Sequence, residues 1–258
     1  MADHPVLPRR QLLAAMAGMA VMPRAGAASG ELTLVSEPSL KGVLTGVARQ
    51  FEKETGRHVA LKFVRPNQIA AALKGEDPPD LVVLPQEGMD QLAKAGLLVA
   101  DSRRPFGRSG LALAVKSGAV PPDVSTPEAL KQVLAGARSI TYSDPADTQA
   151  GKQAAQLIER LGLTDALKGR TKLGAGNPLA QVSVGAVDIG LQARHEALET
   201  SGVTLAGPLP SALQPWQPYG IALTENAGNV AEARQLMQFF AAEAGRKALD
   251  AGGLWSQL

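Results

Sequence analysis

One stretch restricts the fold of this 258-residue chain more than any other. The apolar run Leu32-Thr33-Leu34-Val35 passes through the polar loop Ser36-Glu37-Pro38-Ser39 into Leu40, Val43, Leu44, Val47 and Phe51, which recur at helical spacing. A buried strand that runs straight into an amphipathic helix is the building unit of a layered α/β domain. It also places helix N–H groups and the positive end of the helix dipole at the carboxyl edge of a sheet, beside a hydroxyl. Such a turn suits an anion. Ser39 at the helix start serves equally well as an ordinary N-cap.

The pattern repeats along the chain. Val59, Leu61 and Phe63 alternate as a strand, and a helix is expected from Asn67 to Leu73, before Gly75. Asp80-Leu81-Val82-Val83-Leu84-Pro85 reads as a central parallel strand, with a helix from Met89 to Ala95. Leu111 to Val115 is a further strand, Thr126-Pro127-Glu128 opens a helix, and Ser139-Ile140-Thr141-Tyr142 leads into Ser143-Asp144-Pro145. The helix begun at Ala150-Gly151 carries Ala154, Leu157, Ile158 and Leu161 on one face, and its start repeats the arrangement at Ser39. Strands are expected at 187–192, 203–205 and 219–223, and a last helix from Val230 to Phe240. Pro208, Pro210, Pro215 and Pro218 mark Gly207 to Tyr219 as a crossover linker.

Residues 1–27 read as an export signal. Arg9-Arg10 precedes an apolar run from Leu12 to Val21 that is too short to span a bilayer, and Ala25-Gly26-Ala27 is a small-residue cleavage site. Arg9-Arg10-Gln11-Leu12-Leu13 also fits a twin-arginine signal. Cleavage after Ala27 removes three of the 26 basic residues and one of the 24 acidic ones, leaving 23 of each. The mature chain therefore has no basic excess for nucleic acid or anionic membrane. The full sequence contains no cysteine, which excludes disulfides and thiolate metal sites, and three histidines, of which His4 leaves with the signal. No cofactor or metal is expected, and the mature protein is expected to be a periplasmic monomer.

Four stretches together resemble the periplasmic molybdate-binding proteins of ABC transporters and their looser relatives. They are the strand-to-helix turn at Ser39, Pro79-Asp80-Leu81-Val82-Val83, the segment from Ser143-Asp144-Pro145 through Ala150-Gly151 to Glu159-Arg160-Leu161-Gly162, and Gly185-Ala186-Val187-Asp188-Ile189-Gly190. The resemblance implies a two-lobed periplasmic binding protein fold, each lobe a sheet flanked by helices, with a ligand cleft between lobes that close like jaws. Lobe 1 is expected over 28–108 and 219–258, and lobe 2 over 109–218. It further implies a small anionic ligand and an inner-membrane ABC permease as partners.

Carried over by position, the resemblance implies that Ser39 and the backbone at Ala150 and Ala175 hold the ligand, with Gly151 beside Ala150. The position of the family's second serine is Pro66, which has neither hydroxyl nor N–H, and that of its tyrosine is Ala193. A buried tetrahedral oxyanion needs a nearly complete shell of donors, so these losses argue against molybdate. Arg65, Asn67, Gln192 and Arg194 flank the lost positions, and forked or planar groups match carboxylates. The wider family also includes a periplasmic enzyme, aconitate isomerase, which moves a proton along a tricarboxylate. On that reading His195, Glu37 or Lys41 would carry the proton. His195-Glu196 reads either as an acid/base pair or as the start of a solvated helix, and Trp216 and Trp255 as packing or linker residues rather than stacking platforms.

Overall fold

The computed structural model describes residues 31–256. The expected signal at 1–27 lies outside the described residues. The chain first runs through β1 (Leu32–Ser36), α1 (Lys41–Thr55), β2 (Val59–Phe63), α2 (Pro66–Leu73), β3 (Leu81–Pro85), α3 (Gln86–Lys94) and β4 (Arg104–Ser109). After Gly110 it continues as β5 (Leu111–Lys116), α4 (Pro127–Gly136), β6 (Ile140–Ser143), α5 (Gln149–Arg160), α6 (Thr164–Leu167), β7 (Thr171–Gly174), α7 (Leu179–Ser183), β8 (Ile189–Ala193), α8 (Arg194–Leu198) and β9 (Val203–Pro208). It returns through residues 209–216 to β10 (Gln217–Leu223), α9 (Val230–Ala241) and α10 (Glu243–Ala251).

These strands form two five-stranded sheets, ordered β2-β1-β3-β10-β4 and β7-β6-β8-β5-β9. In each, three strands are parallel and the two contributed by the crossings, β4 and β10 or β5 and β9, complete the sheet in antiparallel pairs with their neighbours or with each other. Helices cover both faces, which is why the central strands are apolar throughout rather than alternating. On the first sheet α1, α9 and α10 bury Phe51, Phe239, Phe240 and Leu249 against one face, while α2 and α3 bury Ile69, Leu73 and Met89 against the other. On the second, α4 and α5 supply Leu130, Leu134, Leu157 and Ile158. Asp80, almost fully buried at the head of β3, accepts from Thr33 N at 2.9 Å and Asn229 N at 2.7 Å, tying β1, β3 and the lead into α9 together.

Two crossings join the lobes, and they are fastened to each other. Gln214 in the return segment donates from Nε2 to Leu111 O and accepts from Leu111 N, both at 2.9 Å. A Cβ on Gly110 would stand 2.6 Å from the Gln214 side chain and would displace its amide from the two bonds to Leu111. Among the described residues no helix is long and apolar enough to cross a membrane.

Several elements differ from the sequence expectation. The expected linker 207–219 is shorter, because β9 runs to Pro208 and β10 starts at Gln217. Pro218 is accommodated where β10 pairs irregularly with β4, next to a register shift between Tyr219 and Gly220. The strands β4 and β7 and the helix α10, which packs Leu249 and Ala248 against the first core, are not among the elements expected from the sequence.

Candidate functional site

A cleft of about 370 Å³ lies between the two sheets, at the edge where the parallel strands end. Ligands of open α/β sheets sit at this edge because loops and helix N-termini converge there. Glu37, Pro38, Ser39 and Pro66 line it from the first lobe, along with Ser109, Gln217 and Tyr219 from the crossing strands. Asp147, Thr148, Gln149, Ala150, Gln153, Ala193, His195 and Glu196 line it from the second.

The two helix starts that face this cleft are built differently. Thr148 caps α5, accepting from Gly151 N at 3.0 Å. Gly151 is buried under the turn, and a Cβ there would lie 2.3 Å from Ser143 O, so the helix meets the end of β6 more closely than any other residue allows. Ser39 is not an N-cap. Pro38 starts a 3-10 turn, Pro38–Leu40, which tightens the chain before α1 begins at Lys41, and the Ser39 hydroxyl instead donates to Glu37 Oε1 at 2.9 Å.

The electrostatics of the cleft are dominated by acids. Burial raises the Glu37 carboxyl, partly offset by the Ser39 hydrogen bond. Burial, then Glu199, then Glu37 push Glu196 up to about 7. The Tyr219 phenol is raised by burial and by Glu37 and Glu196, so it stays a neutral hydroxyl. His195 is 2% exposed and burial lowers it to about 4, making it a neutral imidazole near pH 7. Its Nδ1 is hydrogen-bonded to Ser109 Oγ at 2.9 Å, its ring stands edge-on to Tyr219, and its Nε2 is buried without a protein partner. Neither lysine nor arginine is among the described residues that line the cleft. No group of three or more metal-ligating side chains occurs among the described residues.

Of the residues singled out from sequence, Ser39, Ala150, Glu37 and His195 meet at this cleft, with Gly151 directly beneath it. The others do not. Arg65 and Asn67 are exposed where α2 begins, and only Pro66 between them reaches the cleft. Ala175 is exposed in the loop after β7, an edge strand one place removed from β8. Gln192 is buried in β8, with Nε2 3.4 Å from Ser143 Oγ, because strand alternation turns it away from the face that Ala193 presents. Lys41 is exposed at the start of α1. Arg194 turns out of the cleft toward the C-terminal segment, donating to Asp250 O at 3.1 Å and stacking 4.9 Å over Trp255, whose ring meets Trp216 edge-on at 5.0 Å. The forked carboxylate clamp expected of Arg65 and Arg194 is therefore not assembled.

Sequence reasoning missed Ser109, Thr148, Gln153, Gln217 and Tyr219. Thr148 was legible as a threonine three residues before Gly151, and Gln153 stands one turn further along the same helix α5; Ser109, Gln217 and Tyr219 reach the cleft only because β4 and β10 cross between lobes.

The chain matches the family model described as bacterial extracellular solute-binding protein over residues 32–254. It is 29% identical to aconitate isomerase of Pseudomonas sp. over 230 residues, 86% of this chain and 87% of that one. It is 24% identical to the molybdate-binding protein ModA of Escherichia coli, over 81% and 83% of the two chains. A solved substrate-binding domain from Clostridium difficile, assigned to a molybdenum ABC transporter, superposes with a TM-score of 0.74 at 20% identity, covering 86% of this chain and 97% of that one. These likenesses agree with the two sheets, the paired crossings and the cleft between them: the chain belongs to the bacterial extracellular solute-binding proteins, as a divergent, molybdate-binding-like member with the two-lobed periplasmic binding protein fold.

Proposed function

We propose that this protein captures a small organic acid between its lobes in the periplasm and presents it to an inner-membrane ABC permease. One observation carries the choice of ligand class. The cleft joins helix N-termini and hydroxyls suited to an anion with two carboxyl groups whose hold on a proton is raised by burial, and it presents Pro66 and Ala193 at the positions that the family resemblance assigns to a serine and a tyrosine. Ser39, Tyr219 and the backbone around Ala150 would orient the ligand, and its size is limited by a volume at the small end of ligand pockets.

A second reading is favoured by one specific feature. A carboxyl pushed up to about 7 beside a buried neutral histidine is a group poised to exchange a proton near neutral pH. Together with the likeness to aconitate isomerase, this supports proton transfer on an unsaturated tricarboxylate in the same cleft.

A thermal-shift panel of citrate, both aconitate isomers, succinate, molybdate and sulfate tests the ligand class. A ligand at a hundred times its Kd adds about 2.7 kcal/mol of stability. Stabilisation by di- or tricarboxylates is expected, and stabilisation by molybdate alone overturns the reading. Proton NMR of an aconitate isomer with the protein then separates the two functions: an unchanged ligand means capture, and interconversion of the isomers means catalysis.

A further inference from the structure

Two glutamates from opposite lobes face the same cleft, Glu37 from the turn after β1 and Glu196 from α8, and no described lysine or arginine joins them there. A fully ionised ligand entering beside two ionised carboxylates would bring like charges together in a partly dehydrated space. Resting on the organic-acid reading above, we infer that the cleft takes its ligand together with a proton, a protonated glutamic acid at Glu196 or Glu37 donating its O–H to a carboxylate of the bound acid. The proton comes from solvent. One carboxylate becomes a carboxyl, one O–H···O hydrogen bond forms, and no covalent bond of the ligand changes.

The surroundings favour this arrangement on every side. On α8 itself, His195 is neutral, Arg194 is turned to Asp250 O and Trp255, and Glu199 adds negative charge. From α1, the exposed Lys41 stands outside the cleft lining, and Gly42 faces the Glu199 carboxylate. Tyr219 on β10 is an uncharged hydroxyl, and Asp147, before α5, is another acid. The only charged residue of β5, Lys116, sits at the end of that strand far from Ala193, and β9 carries none. Protonation also frees a second donor. The Ser39 hydroxyl that now donates to Glu37 Oε1 can turn to the ligand once Glu37 no longer needs it.

Isothermal titration calorimetry of the mature protein with tricarballylate and with citrate, at pH 8 in phosphate and in Tris, reads proton uptake directly. Uptake approaching one proton per ligand is expected, with affinity falling about tenfold per pH unit between pH 7.5 and 9. E196Q keeps a donor and removes the titration, so its affinity should become nearly independent of pH over that range and should exceed that of the wild type at pH 9. E37Q reports the same for the other carboxyl. Binding with no proton uptake and a flat pH profile in the wild type overturns this inference alone. Failure of both acids to bind at any pH overturns the organic-acid reading beneath it.

Discussion

Ser109 Oγ and His195 Nδ1 are hydrogen-bonded at 2.9 Å, joining the last residue of β4 in the first sheet to the helix that follows β8 in the second. Both side chains are buried, at 3% and 2% exposure, so the bond fixes the imidazole at the point where the chain changes lobes. Arg194 N donates to Gly110 O at 2.9 Å immediately beside it, so main chain and side chain fasten the same joint.

Ser109→Ala leaves the buried Nδ1 without a partner, which costs about 1–3 kcal/mol. The melting temperature of the ligand-free protein should drop by several degrees, at about 2–4 °C per kcal/mol for a chain of this size. Ser109→Thr retains a hydroxyl and should recover part of the loss. An unchanged melting temperature in the alanine variant would mean that the bond contributes nothing to holding the joint.

The pH dependence of ligand-free stability follows from two opposed groups. His195 has a native value of about 4 against an ordinary 6.5, so the native state binds fewer protons than the unfolded chain between those limits. Its contribution is fully present above pH 6.5 and is lost as pH falls toward 4, by about 3 kcal/mol at most. Glu196 has the reverse sign: raised from 4.5 to about 7, it favours the folded state at low pH and loses that contribution as pH rises through 7. Between pH 4.5 and 6.5 the two slopes oppose, so the contributions of His195 and Glu196 to the wild-type profile largely cancel there. Urea denaturation across that range should show stability falling with decreasing pH in Glu196→Gln and falling with increasing pH in His195→Gln. Parallel profiles in the two variants would contradict both assignments.

Ser39→Ala should leave folding nearly intact, because the hydroxyl bonds only Glu37 and caps no helix. A hydrogen bond to a charged ligand is worth about 1.5–3 kcal/mol, so affinity for a bound acid should fall by about 10- to 150-fold. Retained affinity in calorimetry would remove Ser39 from the site.

Gly151→Ala places a methyl 2.3 Å from Ser143 O and 2.7 Å from Asp144 O, both main-chain atoms, and α5 must shift. Lower stability and weaker binding are expected together. The three atoms nearest to a methyl in Gly42→Ala all belong to the Glu199 side chain, the closest its carboxylate oxygen, and a flexible side chain can move. That variant should melt close to the wild type yet bind several-fold more weakly, since Gly42 and Glu199 face each other across the lobes. Equal behaviour of the two glycine variants would count against the distinction.

Arg194→Ala should reduce affinity far less than Ser39→Ala, because the guanidinium is committed to Trp255 and Asp250 O outside the cleft. It should also change the fluorescence of the Trp216–Trp255 pair. Near-complete loss of binding would reinstate Arg194 as a clamp for the ligand.

The sequence by itself determined the layered α/β units. Alternating apolar runs and amphipathic helices, with Pro127 and Thr126 starting α4 and Gly56 ending α1, are local signals that need no partner to be legible. It also determined where the two cleft-facing turns begin, because a strand that enters a helix leaves the same unpaired N–H groups wherever it occurs. Only the tertiary structure decided which side chains meet between those turns. Arg65 and Arg194 are one residue from cleft-lining positions, and the direction of a single helix start or strand alternation sends them outward. Tyr219 and Ser109 lie 110 residues apart and enter the cleft because β10 and β4 pair as antiparallel neighbours at the crossing. Long-range pairing of this kind is set by the burial of both sheet faces at once, a property of the whole chain that no local run of residues carries.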